Sequence, residues 1–564
     1  MFFSPKSASL WPLFLSTPCR AGELRFGLDA AWTEIHRRRV IRSIPVSLSL
    51  AVLLSAMAEP PAVPPEKFAN EADFVEFLQR KAFDYFWLEA NPANGLIRDR
   101  SRTNSYCSIA AVGFGLTAIG IGIDHGWITR EQGRERVLRT LKTFHEAPQG
   151  PDAVGTIGYR GWFYHFLDMN TGLRARKCEL SSIDTALFLA GALYAREYFN
   201  GAHSDEAAIR ALVTRIYNRV DWHWMTGGSS ADPAREPTPN PSQEGNRNKD
   251  SRRQLPGSGA AASGTLTMGW RPDSGFIKNR WIGYNEAMIL LLLGLGASGN
   301  PDTEAQGAAG ILPSGEGKGL PTGRRQHVGA APSQYAQSGG TDREPALAQR
   351  ALPPESWKEW TRGYQWKTSY GQSFVHFPPL FGHQYSHCWI DFRGIADDYM
   401  RGKGIDYFEN SRRATLAQHA YCVANPGRFK GYGELFWGLT ACDGPGVGRF
   451  QAYSARGAPP AENDDGTIAP TAVGGSLPFA PEICIPTLRH FYEHYRPKIW
   501  TRYGLCDAFN LTAGWWDTEV LGIDQGPILI MIENYRTGRV WKTFMKAIEI
   551  QRGLKNAGFQ PAKH

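Results

Sequence analysis

Nothing in the spacing of this chain's cysteines suggests a pair. The eight (Cys19, Cys107, Cys178, Cys388, Cys422, Cys442, Cys484 and Cys506) are scattered with no C-x-x-C among them, which argues against a zinc site and a disulfide framework. Most read as small buried hydrophobes. Also missing are a G-x-S-x-G elbow, a glycine-rich phosphate loop ending in Lys-Ser/Thr and an H-E-x-x-H helix, so the corresponding hydrolase, nucleotide and zinc chemistries find no support. No apolar run reaches the roughly 18 residues that a membrane span requires, and no stable membrane insertion is expected. A basic tract is lacking too. Half of the formal net charge of +8 sits in residues 1–58, where seven Lys/Arg face three acids; the rest is dispersed, and no nucleic-acid partner is expected.

What is present begins with a leader. Arg37-Arg38-Arg39 and Arg42 precede the apolar stretch Ile44–Ala56, followed by the small-x-small site Ala56-Met57-Ala58 and the proline-rich segment Glu59–Pro65. That is the three-part anatomy of a secretory signal, which predicts a periplasmic or secreted bacterial protein. It lies late, so residues 1–58 read as an over-extended start plus the signal, with Val40 marking the initiation site. Residues 59–564 are expected to form one catalytic domain, a monomer without metal or cofactor.

Beyond the leader the periodicity is helical. Phe74, Phe77, Leu78, Ala82 and Tyr85 recur at helical spacing within 66–90. Further helices are predicted at 106–122, 129–146, 182–199, 205–220, 283–295, 390–401, 404–422, 480–495, 526–535 and 538–552. No sustained strand alternation appears. About a dozen helices joined by aromatic, glycine-rich loops predict an all-α fold, helical hairpins wound into a closed barrel. Two stretches, 227–264 and 298–352, are rich in Gly, Pro, Ser, Gln and Arg and nearly free of aromatics, and read as disordered insertions.

Aromatics make up 12% of the chain, with 18 Trp, and their flat apolar faces with a polar handle suit sugar rings as well as a large core. Cleaving a glycosidic bond needs two carboxyl groups, one protonated and one ionised. Three clusters offer them. In Cys178-Glu179-Leu-Ser-Ser-Ile-Asp184, a serine caps a helix and places Asp184 in its first turn, where the dipole favours a carboxylate. In Trp281-Ile-Gly-Tyr284-Asn285-Glu286, the acid enters a helix apolar nearly all round, where a carboxyl is either paired, as by backbone amides, or has the raised pKa that a general acid requires. The third cluster is diffuse: Glu482, Asp507, Trp515-Trp516, Asp524, Glu533, His387-Cys-Trp389-Ile-Asp391-Phe-Arg393, Tyr432-Gly-Glu434-Leu-Phe-Trp437 and Asp443 stand at loop–helix borders. Tyr385, His387 and Arg393 also permit a polysaccharide lyase, with a Tyr/His base and an Arg neutralising a uronate.

At Ser182-Ile-Asp184-Thr-Ala-Leu, Gly283-Tyr-Asn-Glu286 and Met531-Ile-Glu-Asn534-Tyr-Arg-Thr-Gly the chain resembles the glycoamylase-like family. Asn94–Arg100, Ile109–Phe114 and Arg160-Gly-Trp162-Phe-Tyr-His-Phe166 extend the likeness, which runs from about Phe68 to Gln551 outside the two insertions. The family's best-understood members are β-1,2-glucanases of glycoside hydrolase family 144, and a related domain sits in cyclic β-1,2-glucan synthases. The resemblance implies an (α/α)6 barrel, metal-independent hydrolysis and a groove for an uncharged glucan. It carries the essential acids onto Asp184 and Glu286, with Glu179 in the neighbourhood of a third. Substrate contacts are then expected from Trp162, Trp281, Tyr284, Asn285, His387, Trp389, Asp391, Arg393, Glu434, Trp437, Glu482, Trp516 and Asp524. A transglycosylase, a hydrolase of another glucan linkage (including the glucoamylase type) and a non-catalytic glucan-binding protein are the alternatives.

Overall fold

Four of the longer helices bury nearly every side chain, which obliges them to stand inside a ring of others. The computed structural model describes residues 66–227, 264–297, 351–446 and 452–562. Its helices are α1 (Glu71–Leu88), α2 (Ile109–Asp124), α3 (Arg130–Glu146), α4 (Ser182–Tyr198), α5 (Ser204–Asn218), α6 (Met288–Gly296), α7 (Glu355–Thr361), α8 (Asp398–Lys403), α9 (Tyr407–Ala424), α10 (Pro470–Gly474), α11 (Pro481–Ile499), α12 (Gly522–Arg536), α13 (Arg539–Phe544) and α14 (Ile548–Asn556). The enclosed four are α2, α4, α6 and α12.

The inner ring can be followed from contact to contact. α12 packs on α2, α2 on α4, α4 on α6, and α10 on α12. Between α6 and α10 the ring is completed by the 3-10 turns Leu380–His383 and Ser386–Cys388. There the Ser386 hydroxyl accepts the Ile289 N–H at 3.0 Å and donates to the Glu286 carbonyl at 3.1 Å. Gln384 Nε2 donates to the Ala472 carbonyl and to Ser476 Oγ, both at 2.8 Å. Amphipathic helices such as α1, α3 and α5 lie outside, each burying one stripe. The result is the expected (α/α)6 barrel. The inner helices α2 and α4 meet backbone to backbone: a Cβ on Gly191 would stand 1.9 Å from the Gly113 carbonyl oxygen, and one on Gly113 2.2 Å from that of Leu187.

Several boundaries differ from those read in the sequence. α1 starts at Glu71 because Asn70 caps it, accepting the Asp73 N–H at 3.0 Å. The stretch 390–401 is helical only from Asp398, where Asp397 caps; Ile395–Ala396 instead pairs with Gln560–Pro561. The stretch 538–552 breaks into α13 and α14 at Met545–Ala547. α12 begins four residues earlier than expected, because Pro527 reads as a helix start yet lies inside it. The short helices α7 and α10 and eight small sheets of two or three strands escaped periodicity altogether, being too brief to show a period. The leader 1–58 and most of the two insertions lie outside the described residues. Leu352, assigned to an insertion, is buried against the barrel and donates its N–H to the Gly294 carbonyl at 3.0 Å. Among the described residues no helix is long and apolar enough to cross a membrane.

Candidate active site

Acids gather where the inner helices begin. Asp184 stands third in α4: Ser181 caps that helix, accepting the Asp184 N–H at 3.2 Å, and its hydroxyl donates back to the Asp184 carboxylate. Both contacts and the helix dipole favour a negative charge there. Glu286 lies two residues ahead of α6, after a turn made by Gly283 at φ +82°. α6 has no cap of its own; Ser386, from the neighbouring 3-10 turn, takes the Ile289 N–H and fixes the Glu286 backbone.

The two carboxyls differ in surroundings. Glu286 is only 3% exposed, and burial together with the nearby Asp184 charge pushes its pKa up to about 8, against a pull from its own backbone N–H. It is therefore an uncharged O–H donor at neutral pH. Burial also raises Asp184, but the His165 cation and the Ser181 hydroxyl oppose it. Glu179 is a third case. Burial would raise it, yet the hydrogen bond and charge of His165, and Arg271 beyond, hold it down at about 2.

A second acidic group faces this one. Asp443, Asp507 and Asp517 bring oxygens within 4.8 Å of one another, the described arrangement best able to hold a cation. Arg100 already supplies positive charge there, bonding Asp443 at 2.8 Å and Glu519 at 2.7 Å. Burial and neighbouring acids raise Asp507 to about 7, Asp517 to about 6, and Asp524 well above the usual range. Asp507 Oδ1 and Asp524 Oδ2 are buried without a donor, and the side chains are within hydrogen-bonding reach, so one shared proton satisfies both. Tyr385 lies near both Asp524 and Glu286, and the exposed residue Tyr453 neighbours Asp507, Asp524 and Asp443.

The expected site residues divide. Glu179, Asp184 and Glu286 come together, Asp524 joins the second acidic group, and Asn285 and Tyr284 flank Glu286: Asn285 Oδ1 accepts the Ala287 N–H at 2.9 Å, while Tyr284 is buried against His383. Trp516 stays half-exposed, stacked on Phe509, on the hairpin that leads to Asp517. The others are placed as follows. Trp162, Trp389 and Trp437 are fully buried core residues, and Trp281 is buried with its indole N–H on Ser182 Oγ. His387 is enclosed, with Nε2 at 3.1 Å from Ser411 Oγ. Arg393 pairs with Asp391 at 2.7 Å and covers the Trp541 ring, whose backbone N–H bonds Asn534. Asn534 is ten residues, about 15 Å, along α12 from Asp524, so this pair sits at the other end of the barrel. Glu482 pairs with Arg412 at the start of the outer helix α11, and Glu434 is exposed, with only its carbonyl engaged, by His419. The lyase trio is thereby dispersed. His165, Arg271, Asp517 and Tyr453 were not anticipated; their pairing depends on how the loops fold back, Arg271 meeting Glu179 across 92 residues.

Residues 346–548 match a family model named Glycoamylase and described as "Putative glucoamylase". Over that stretch the chain is similar to the glycoamylase family. The matched stretch carries the Asp443–Asp524 acids, while Asp184 and Glu286 lie ahead of it. Likeness to whole proteins covers both groups. An exo β-1,2-glucooligosaccharide sophorohydrolase (non-reducing end) of Parabacteroides distasonis is 29% identical over 499 residues, 86% of this chain and 58% of its own length. The chain thus spans little more than half of that relative. A crystal structure of a "putative glucoamylase" from Bacteroides uniformis is 29% identical, with a TM-score of 0.66 over 88% of this chain and 99% of the other. An endo-β-1,2-glucanase from Chitinophaga pinensis, solved with sophorotriose and glucose, is 26% identical, with a TM-score of 0.66 over 87% and 99%.

Proposed function

We propose that the protein is a glycoside hydrolase acting on β-1,2-linked glucan, with Glu286 as proton donor and Asp184 as its ionised partner. The observation that carries this reading is a buried carboxyl kept protonated to about pH 8 beside a second carboxyl that faces a cation. Two carboxyls whose surroundings differ in this way suit the roles of acid and base. Two of the similar proteins are named for β-1,2-glucan or its oligosaccharides, which supports the substrate class.

In this reading Glu286 gives its proton to the glycosidic oxygen as the bond to the anomeric carbon breaks. Asp184 takes a proton from the water that attacks the opposite face. Asp184 Oδ2 already accepts from Ser181 and faces His165, which suits a base holding water better than a free nucleophile, so the reaction is written as inverting. The leader supports export, with cleavage after Ala58.

The test is incubation of the protein from Glu59 onward with linear β-1,2-glucan and chromatography of the products. Short sophoro-oligosaccharides, absent with Glu286→Gln, support linkage and acid together. Cleavage of laminarin, cellulose or starch oligosaccharides instead would move the linkage, and no cleavage of any would favour a binding protein. Adding an acceptor sugar separates transglycosylation. The anomer released first, read by NMR, decides inversion.

A further inference from the structure

Arg271, Glu179, His165 and Asp184 form one line of alternating charge. Arg271 Nη2 donates to Glu179 Oε2 at 3.0 Å. His165 Nδ1 donates to Glu179 Oε1 at 3.0 Å, and His165 Nε2 stands 3.6 Å from Asp184 Oδ2. The backbone fixes this line at both ends. The strand Leu180–Ser181 pairs with Gly269–Arg271, setting Arg271 opposite Glu179. The His165 N–H donates to the Glu179 carbonyl at 2.9 Å, while its own carbonyl accepts the Ile109 N–H at 3.3 Å at the start of α2. The imidazole is thus held between the first turns of α2 and α4.

We propose that Glu179 is not a reacting carboxyl: with Arg271 it clamps His165 as an imidazolium against Asp184, and His165 is the positioning residue that keeps Asp184 ionised beside the protonated Glu286. This rests on the hydrolase reading above. Both Glu179 oxygens are occupied by cationic donors, which suits an anchor. Asp184 and Glu286 are two buried carboxyls in mutual range, and such a pair shares one proton unless something breaks the symmetry. The imidazolium does so, because it touches one carboxyl only. The groups facing His165 all favour its charge: Asp184 from α4, Glu179 from just ahead of the strand Leu180–Ser181, and Asp99 from the segment before α2. Arg271 reaches it only through Glu179, and Arg100 is turned to Asp99, Asp443 and Glu519. Burial opposes the charged ring, yet those acids raise it to about 9.

Two measurements on the intact chain test this. The first needs no substrate: NMR titration of the histidine rings, with His165 assigned by its loss in His165→Gln. His165 is expected to titrate about two units above an ordinary histidine, and lower in Glu179→Gln and Asp184→Asn. Titration at or below the ordinary value overturns the clamp, even if the protein cleaves glucan. The second is the pH–rate profile on β-1,2-glucan. His165→Gln is expected to move the acidic limb up by about one unit or more, and Glu179→Gln to move it the same way while keeping turnover on the alkaline side. A Glu179→Gln variant that folds, binds glucan and is inactive at every pH would make Glu179 a reacting carboxyl instead. A wild-type chain inactive on every glucan would sink the hydrolase reading and with it the catalytic purpose of the clamp, while the titration still reports whether the charged ring exists.

Discussion

Asp184 and Asp524 occupy the same position, third residue of an inner helix, in α4 and in α12. The helix dipole offers each the same small stabilisation of a negative charge. Their neighbours decide the outcome. Asp184 faces the His165 cation, whereas Asp524 faces Asp507 and Asp443 and holds a proton toward Asp507. Substitution by Asn should separate them. Asp184→Asn is expected to lower turnover on β-1,2-glucan about 10³-fold with glucan binding retained. Asp524→Asn supplies a permanent N–H donor where the wild type needs a proton, so its thermal stability should fall less as pH rises through 7. Parallel melting curves of wild type and Asp524→Asn from pH 5 to 9 would refute this.

Glu286→Gln tests the buried acid through stability alone. The folded pKa is raised to about 8 from an ordinary value of 4.5. A raised carboxyl contributes stability in full below the unfolded value and loses it as pH climbs through the folded one. The wild type should therefore weaken between about pH 4.5 and 8, and Gln, which never ionises, should not. The variant is expected to match the wild type near pH 4.5 and to exceed it by about 4 kcal/mol near pH 8.5. Chemical denaturation at both values measures the difference. Equal stability at both would mean that Glu286 ionises freely in the fold.

What could be read from the sequence was local. The Ser-Ser-Ile-Asp184 cap and the apolar run after Glu286 signal helix starts, and an acid at each start follows from that signal. The barrel followed from the same helical period. The aromatic lining did not, because a Trp beside a polar residue at a helix end looks the same whether it faces solvent or core: Trp162, Trp389 and Trp437 turn inward. The clamp on Asp184 and the second acidic group depend on pairing across distance. Glu179 meets Arg271 across 92 residues, and the Asp443 N–H meets Asp507 across 64. No periodicity carries that information.

The barrel's tightest seam gives a prediction about packing. Gly191 of α4 lies against Gly113 of α2, where an added Cβ would come within 1.9 Å of a carbonyl oxygen. Backbone cannot yield as a side-chain tip can, so the helices must part. Gly191→Ala is expected to cost about 2 kcal/mol or more, by denaturant titration with an unchanged slope. A smaller loss would show that α2 and α4 can separate locally, which would also loosen the frame around His165 and Asp184.

The two insertions can be judged from the residues that border them. Arg280 Nη1 donates to the Thr226 carbonyl at 3.0 Å and to the Thr265 carbonyl at 2.6 Å, so the chain leaves and returns within reach of one guanidinium. The Thr267 N–H donates to the Met225 carbonyl at 3.0 Å, continuing the fold across the gap. At the second site the Leu352 N–H bonds the Gly294 carbonyl at 3.0 Å, only a few residues from Ala297. A short Gly-Ser linker can therefore bridge either gap. Closing a loop grows costlier only slowly with its length, so shortening should change stability little and in the favourable direction. Removing 229–262 and 301–350 is expected to preserve cooperative melting and rate on β-1,2-glucan, measured side by side with the full chain. Loss of cooperative melting would mean that the insertions pack on the barrel, and loss of rate alone that one of them contributes to the groove.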